Sequence, residues 1–192
     1  MVRGNFVNDS REGLWLLKDG AIYLYNFKNN LLNDTTYQFY GDSSLNSKSV
    51  YKDGKLNGPS FYYRAEHSKD QTSIKYNLWK VENFKANEWH GSKIQLFSNA
   101  DTATIEYYEN NLPKGIHKHF AFNGKLIEWH QFKEHPDYKL LDTALYWNDS
   151  GLLRRTSNQC SNRAQTPNFA RTWDTEGKLI FNKTKYILDK IY

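Results

Sequence analysis

A spacing of about 23 residues recurs along this chain and constrains its fold more than any single motif does. Turn-forming positions align at Gly20, Ser43, Glu66, Asp101, Gly124, Gly151 and Gly177, in steps of 23, 23, 35, 23, 27 and 26. The clearest copy of the unit lies in Tyr107–Lys133, where Phe120-Ala-Phe-Asn-Gly124-Lys-Leu126 reads as strand, tight turn, strand. Asn123-Gly124 between apolar runs predicts a two-residue hairpin turn, because both residues tolerate positive φ. A second phrase falls between these turns, at Phe27–Asp34, Tyr51–Gly58, Phe84–Gly91 and Tyr108–Gly115, its starts 24, 33 and 24 residues apart. Two phrases keeping one period mean an array of one supersecondary unit, each copy burying its apolar face on its neighbours. The expectation is therefore an all-β, elongated array of about seven antiparallel β-hairpins, one domain over residues 1–192, less regular from about residue 134.

Composition agrees with sheets that are half wet. The hydrophobic share is 39%, and 14 Tyr, 11 Phe and 6 Trp supply much of it. Large rings suit an exposed sheet face better than a deep aliphatic core, and they argue against disorder. No apolar run approaches the roughly 20 residues that span a bilayer. The amino terminus, MVRGNFVNDSREG, lacks the apolar centre of a signal peptide, so a cytoplasmic protein is expected. Cys160 is the sole cysteine, which excludes an intramolecular disulfide and a Cys-based zinc cage. The net charge of +5 permits an acidic partner without requiring one.

Tyr51-Lys-Asp-Gly-Lys-Leu-Asn-Gly-Pro-Ser-Phe-Tyr-Tyr63 and the stretch Tyr108–Leu126 resemble the variant form of the MORN repeat, whose outline is Y-x-N-G-x-L-x-G followed by an aromatic strand. The resemblance covers residues 10–133, with one stretch off register, and 142–180 weakly. Bacterial proteins of this outline are often antitoxins or immunity partners, and MORN proteins elsewhere are linked to membrane lipids and scaffolding. The resemblance implies a binding protein and carries no catalytic residues. The leading expectation is an immunity protein or antitoxin that binds a cognate cytosolic toxin and occludes it sterically; the alternative is a scaffold or a module for acidic lipid surfaces. No GxSxG, Gly-rich phosphate loop, HExxH or CxxC is present, so neither enzymatic activity nor a cofactor is expected. Nucleic acid is not expected either, because the basic residues are not confined to one stripe.

Departures from the period mark candidate binding loops, since insertions in repeat proteins collect on one face. They are His67–Ser73 with Ile74–Asn83 after it, Glu134–Asp142, and the polar Arg154–Asn168. Trp79 and Trp89 lie in or beside the longest step, and Arg154, Arg155 and Arg163 lie in the last insertion; Trp and Arg are the types most enriched at binding hot spots. Lys183–Tyr192 has the spacing of one short amphipathic helix that would cap the sheet.

One cluster invites a metal. Counting outward from a two-residue turn at Asn123-Gly124 sets His119 opposite Glu128 and His117 opposite His130, so that His117, His119, Glu128 and His130 share one face. Three imidazoles and a carboxylate are a zinc-competent set. Exposed polar residues on a half-wet hairpin are the other reading, with Phe120, Phe122, Ile127 and Trp129 on the packed side. A bulge at Gly124 would break the match by shifting the register one residue.

Overall fold

The computed structural model describes residues 1–67, 74–135, 138–148, 153–160, 169–174, 176 and 178–184. It is all-β: every regular element among these residues is a strand, and the pairings are antiparallel. The strands group into two compact units. The first, Met1–Thr102 with Tyr108–Leu112, holds β1 (Val2–Val7), β2 (Ser10–Asp19), β3 (Ala21–Lys28), the two-residue β4 (Leu31–Leu32), β5 (Asp34–Phe39), β6 (Leu45–Lys52), β7 (Lys55–His67), β8 (Ile74–Lys85) and β9 (Glu88–Leu96). The second, Ala103–Tyr107 with Pro113–Tyr192, takes the middle of β10 (Thr102–Glu109). Beyond the short β11 (Leu112–Pro113) it continues through β12 (Gly115–Phe120), β13 (Leu126–His135), β14 (Tyr138–Trp147), β15 (Leu153–Cys160), β16 (Phe169–Trp173) and β17 (Leu179–Thr184). Within each unit, consecutive strands pair side by side as a chain of hairpins. No described helix is long and apolar enough to cross a membrane.

Both sequence phrases are turns, of two kinds. The second phrase closes a two-residue turn with positive φ at both positions: Asn29-Asn30 at 49° and 65°, Asp53-Gly54 at 50° and 79°, Ala86-Asn87 at 53° and 74°, and Asn110-Asn111 at 51° and 64°. Asn8-Asp9, at 49° and 61°, is a further copy. Such turns match the twist of the strands they join, and Asn and Gly adopt them at least cost. The Asn at the second position also ties one repeat to the one before it. Its backbone N–H donates to a carbonyl of the preceding repeat while its Oδ1 accepts a backbone N–H there: Asn30 with Arg11, Asn87 with Leu56, and Asn111 with Trp89, the Oδ1 contacts being 2.7–2.8 Å. The Asn of the repeat phrase is therefore both a turn former and a clamp between neighbours.

The other set of turns differs from expectation. At Asn123-Gly124 the turn has three residues rather than two: Gly124 N–H donates to the Ala121 carbonyl at 2.9 Å, Ala121 N–H donates to the Lys125 carbonyl at 2.8 Å, and Gly124 alone has φ of +78°. Tyr40–Ser44 and Phe97–Asp101 make the same pair of bonds, with Ser43 and Ala100 in the left-handed position. Glu66, aligned as a turn, lies inside β7. Gly151 and Gly177 lie outside the described residues.

The bulged turn moves the first pair to Phe120↔Leu126, and a second irregularity between His119 and Phe120 moves the register back. His119↔Glu128 and His117↔His130 are consequently paired as counting outward predicted. Burial does not single out the expected packed side: Phe120, Ile127 and Trp129 are half-buried, as are His119, Glu128 and His130. His117 is 6% exposed and Ala144, which pairs with His130, is 2% exposed, whereas Phe122 is 59% exposed. The first unit shows the same arrangement in the cross-strand row Thr36↔Ser49↔Ser60↔Glu82↔Lys93, where Ser60 is fully buried, Glu82 is 5% exposed and Thr36 7%. Small polar side chains are buried in this row because side chains two residues along each strand, such as Tyr51 and Tyr62, stand on the same face and close over them.

Two candidate loops are strand. Arg154–Cys160 belongs to β15, and most of Glu134–Asp142 belongs to β13 and β14, so the hairpin pattern continues through the stretch where the resemblance fades. Ile74–Asn83 is the body of β8. Residues 68–73, 136–137 and 161–168 lie outside the described set, as does the capping-helix segment beyond Thr184, where Lys183 and Thr184 still belong to β17.

Candidate partner-binding surface

In the first unit, β7 and β8 form the longest hairpin, and their register slips once, between Tyr62↔Lys80 and Tyr63↔Leu78, which leaves Trp79 as a bulged residue. A bulge turns a side chain out of strict alternation. Trp79 thereby joins the face of Tyr62 and Arg64: Lys80 Nζ lies 4.1 Å from the Tyr62 ring centroid and 5.1 Å from that of Trp79, and the Arg64 guanidinium lies 6.0 Å from Trp79. An equivalent slip between Gln38↔Ser47 and Phe39↔Leu45 leaves Asn46 bulged on β6. Together Tyr40, Asn46, Tyr62, Tyr63, Arg64 and Trp79 line an open groove of about 350 Å³.

The groove is held rigidly by its own hydrogen bonds. Tyr40 Oη donates to the Tyr63 carbonyl at 3.0 Å, and the Tyr40 and Tyr76 rings are 5.1 Å apart. Arg64 Nε donates to Glu66 Oε1 at 3.2 Å, and Asn77 Nδ2 donates to Glu66 Oε2 at 2.7 Å. Lys80 pairs with Glu82 at 3.2 Å. Burial, reinforced by the neighbouring Glu82 carboxylate, pushes the Tyr62 phenol up to about 12, so it stays neutral.

Trp89 has a different setting. It sits on β9 opposite Phe84, its ring tilted against Tyr108 at 5.2 Å, with Lys93 Nζ 4.5 Å from its centroid and 5.7 Å from that of Tyr108. Those contacts, with the Asn111 clamp on its backbone N–H, join neighbouring repeats. Arg154 and Arg155 are strand residues of β15, Arg155 pairing with Tyr146 on one side and Thr172 on the other; their side chains are outside the described set. Arg163 lies wholly outside it.

In the second unit the four metal candidates do come together, with Glu106 added. His119 Nδ1 lies 2.9 Å from Glu128 Oε2 and its Nε2 3.6 Å from Glu106 Oε1; His130 Nε2 lies 2.6 Å from Glu128 Oε1; His117 Nε2 donates to the Tyr107 carbonyl at 2.8 Å. The imidazoles thus face carboxylates and a carbonyl rather than a common point, and no group of three or more His, Cys, Asp or Glu among the described residues is arranged to hold a metal ion. The Glu106 carboxylate facing it, with the Glu128 charge, raises His119 from the ordinary histidine value. Burial lowers His117. The cluster is a network of paired side chains.

Neither a protein-family model nor a curated protein matches this chain. Sequence reasoning picked out Trp79 but missed the residues that surround it. One signal was present: Leu78-Trp79 sets two large apolar residues side by side in a strand whose rule is alternation, which is how a bulge is written in sequence.

Proposed function

We propose that this chain is a protein-binding module of the immunity or antitoxin kind, acting in the cytoplasm, with no turnover of its own, by covering the active site of a cognate toxin. The observation that carries the reading is how little of the apolar surface is covered. Among the described residues the buried hydrophobic side chains are Phe27 and Ala144 alone, while Phe6, Leu14, Tyr107, Ile116 and Phe122 are each 39–64% exposed. Large exposed rings on a rigid hydrogen-bonded sheet mark a surface for another macromolecule. The groove at Trp79 supplies the anchor such a surface needs, since Trp, Tyr and Arg dominate binding energy where they are held in place. The resemblance of the repeat phrase to the variant MORN outline supports the immunity reading in particular.

The tagged chain, expressed in its native host, is expected to retain one partner through washing. That partner, expressed alone, should arrest growth, and co-expression of the chain should restore it. A captured protein that is harmless when expressed alone overturns the immunity reading. Capture of no protein, with sedimentation on vesicles containing anionic phospholipid, would establish the lipid-surface alternative instead.

A further inference from the structure

We propose that the groove between β6, β7 and β8 receives a single tyrosine side chain of the protein partner, its ring against Trp79 and Tyr62 and its phenol oxygen accepting from Arg64. This inference rests on the protein-binding reading and narrows it to one site and one type of anchor.

The groove has the marks of a built site. Two separate β-bulges, at Asn46 on β6 and at Trp79 on β8, put side chains from two strands into the same space. A bulge interrupts ladder pairing, and bulges concentrate where a side chain must be re-aimed. The remaining walls include the Tyr40 and Tyr62 rings, with the Tyr63 carbonyl holding the Tyr40 hydroxyl, so the ligand is planar and aromatic.

Charge and hydrogen-bond chemistry narrow the choice further. Each cation at the groove has its own carboxylate: Arg64 has Glu66, and Lys80 has Glu82. With the formal charges matched, neither a strongly anionic nor a cationic group is favoured, which selects a neutral ring. Arg64 and Trp79 bring donors with no acceptor capacity of their own. Arg64 spends only Nε on Glu66, leaving its terminal nitrogens without another partner among the described residues. The Trp79 indole N–H is also donor-only, and the Tyr40 hydroxyl proton is already given to the Tyr63 carbonyl. A ring that brings an acceptor on its edge satisfies those donors, and a phenylalanine leaves them unmet. Tyrosine is the side chain whose six-membered ring carries, without charge, an oxygen acceptor at its rim.

The test uses two soluble probes, N-acetyl-tyrosinamide and N-acetyl-phenylalaninamide, titrated into the full chain while the Trp79 indole N–H resonance is followed by NMR. The expected result is saturable binding with about tenfold preference for the tyrosine probe, the scale of one hydrogen bond to a charged donor. Arg64→Met should level the two probes while leaving the ring bound. Followed by the Arg64 backbone N–H resonance instead, Trp79→Leu should weaken both, and Trp79→Phe, which keeps a ring in the bulge, should retain the preference for tyrosine. Equal affinity for the two probes, or no saturable shift, overturns the proposal, as does a preference that survives Arg64→Met in a variant melting like the parent. The partner experiment separates the two readings. If partner capture is unaffected by Arg64→Met and Trp79→Leu, the groove is not the anchor and the protein-binding reading stands. If the tyrosine probe binds and no protein is captured, the site stands and the protein-binding reading fails.

Discussion

Gly124 occupies a left-handed position, φ +78°, where an added Cβ would meet nothing within 4 Å. Substitution there tests the backbone alone. Gly124→Val is expected to lower stability by about 1–3 kcal/mol in a urea melt, because a β-branched residue resists that conformation; an unchanged midpoint would contradict the turn. His117 and His119 answer to pH in opposite senses. His119, raised chiefly by the facing Glu106 carboxylate, binds a proton more readily folded than unfolded, so its contribution is complete below its ordinary value of 6.5 and is lost as pH climbs through the raised folded value. His117, lowered chiefly by burial, must stay neutral when folded, so its contribution holds above 6.5 and is lost as pH falls through the depressed value. Between pH 5 and 8 the stability of the second unit should therefore peak near 6.5, with His119→Gln flattening the alkaline limb and His117→Gln the acid limb. A monotonic profile, or variants that leave both limbs in place, would show that these two groups do not control it.

At the scale of an element, each strand depends on how its turn meets the repeat before it. Asn87 keeps a positive φ of 74° and accepts the Leu56 N–H through Oδ1 at 2.7 Å. Asn87→Gly preserves the turn conformation and the backbone N–H bond to Leu56 and removes only the Oδ1 bond, so a loss of about 1 kcal/mol is expected, the ordinary net value of one hydrogen bond. A loss below about 0.3 kcal/mol in chemical denaturation would mean that water replaces the clamp freely. Legibility at this scale was uneven. Turn positions could be read because Asn and Gly are among the few residues that accept positive φ cheaply, and His117 could be matched to His130 by counting. The turn at Asn123-Gly124 was misread because the same dipeptide serves a two-residue turn and a bulged three-residue one. Strand β15 was hidden for a different reason: Arg154-Arg155-Thr-Ser-Asn-Gln-Cys160 has almost no apolar alternation to read, and it becomes a strand because β14 and β16 pair with it on either side.

In an array held by neighbours, a local defect should stay local. Gly4 gives the sharpest test within the first unit, because a Cβ there would overlap the Trp15 ring, against which the Phe6 ring stands edge-on at 4.9 Å. Gly4→Ala is expected to undock β1 from β2, and hydrogen exchange should speed up in Val2–Val7 and the facing part of β2 while β7 and β8 keep their protection. Uniform acceleration across the unit would mean one cooperative block rather than a chain of pairwise interfaces.

The sequence by itself determined the architecture: an antiparallel all-β chain of hairpins with turns at regular intervals, because a turn needs particular residues at fixed spacing and that chemistry is local. It also determined that the two pairs in the His117, His119, Glu128 and His130 set would face each other, since cross-strand partners follow from counting. Only the tertiary structure decided how burial is shared between the two faces, that the imidazoles are satisfied by Glu106, Glu128 and the Tyr107 carbonyl, and that Asn46 and Trp79 share a groove with Arg64. Those outcomes depend on bulges, and a bulge is settled by the fit between two strands, which neither strand encodes alone.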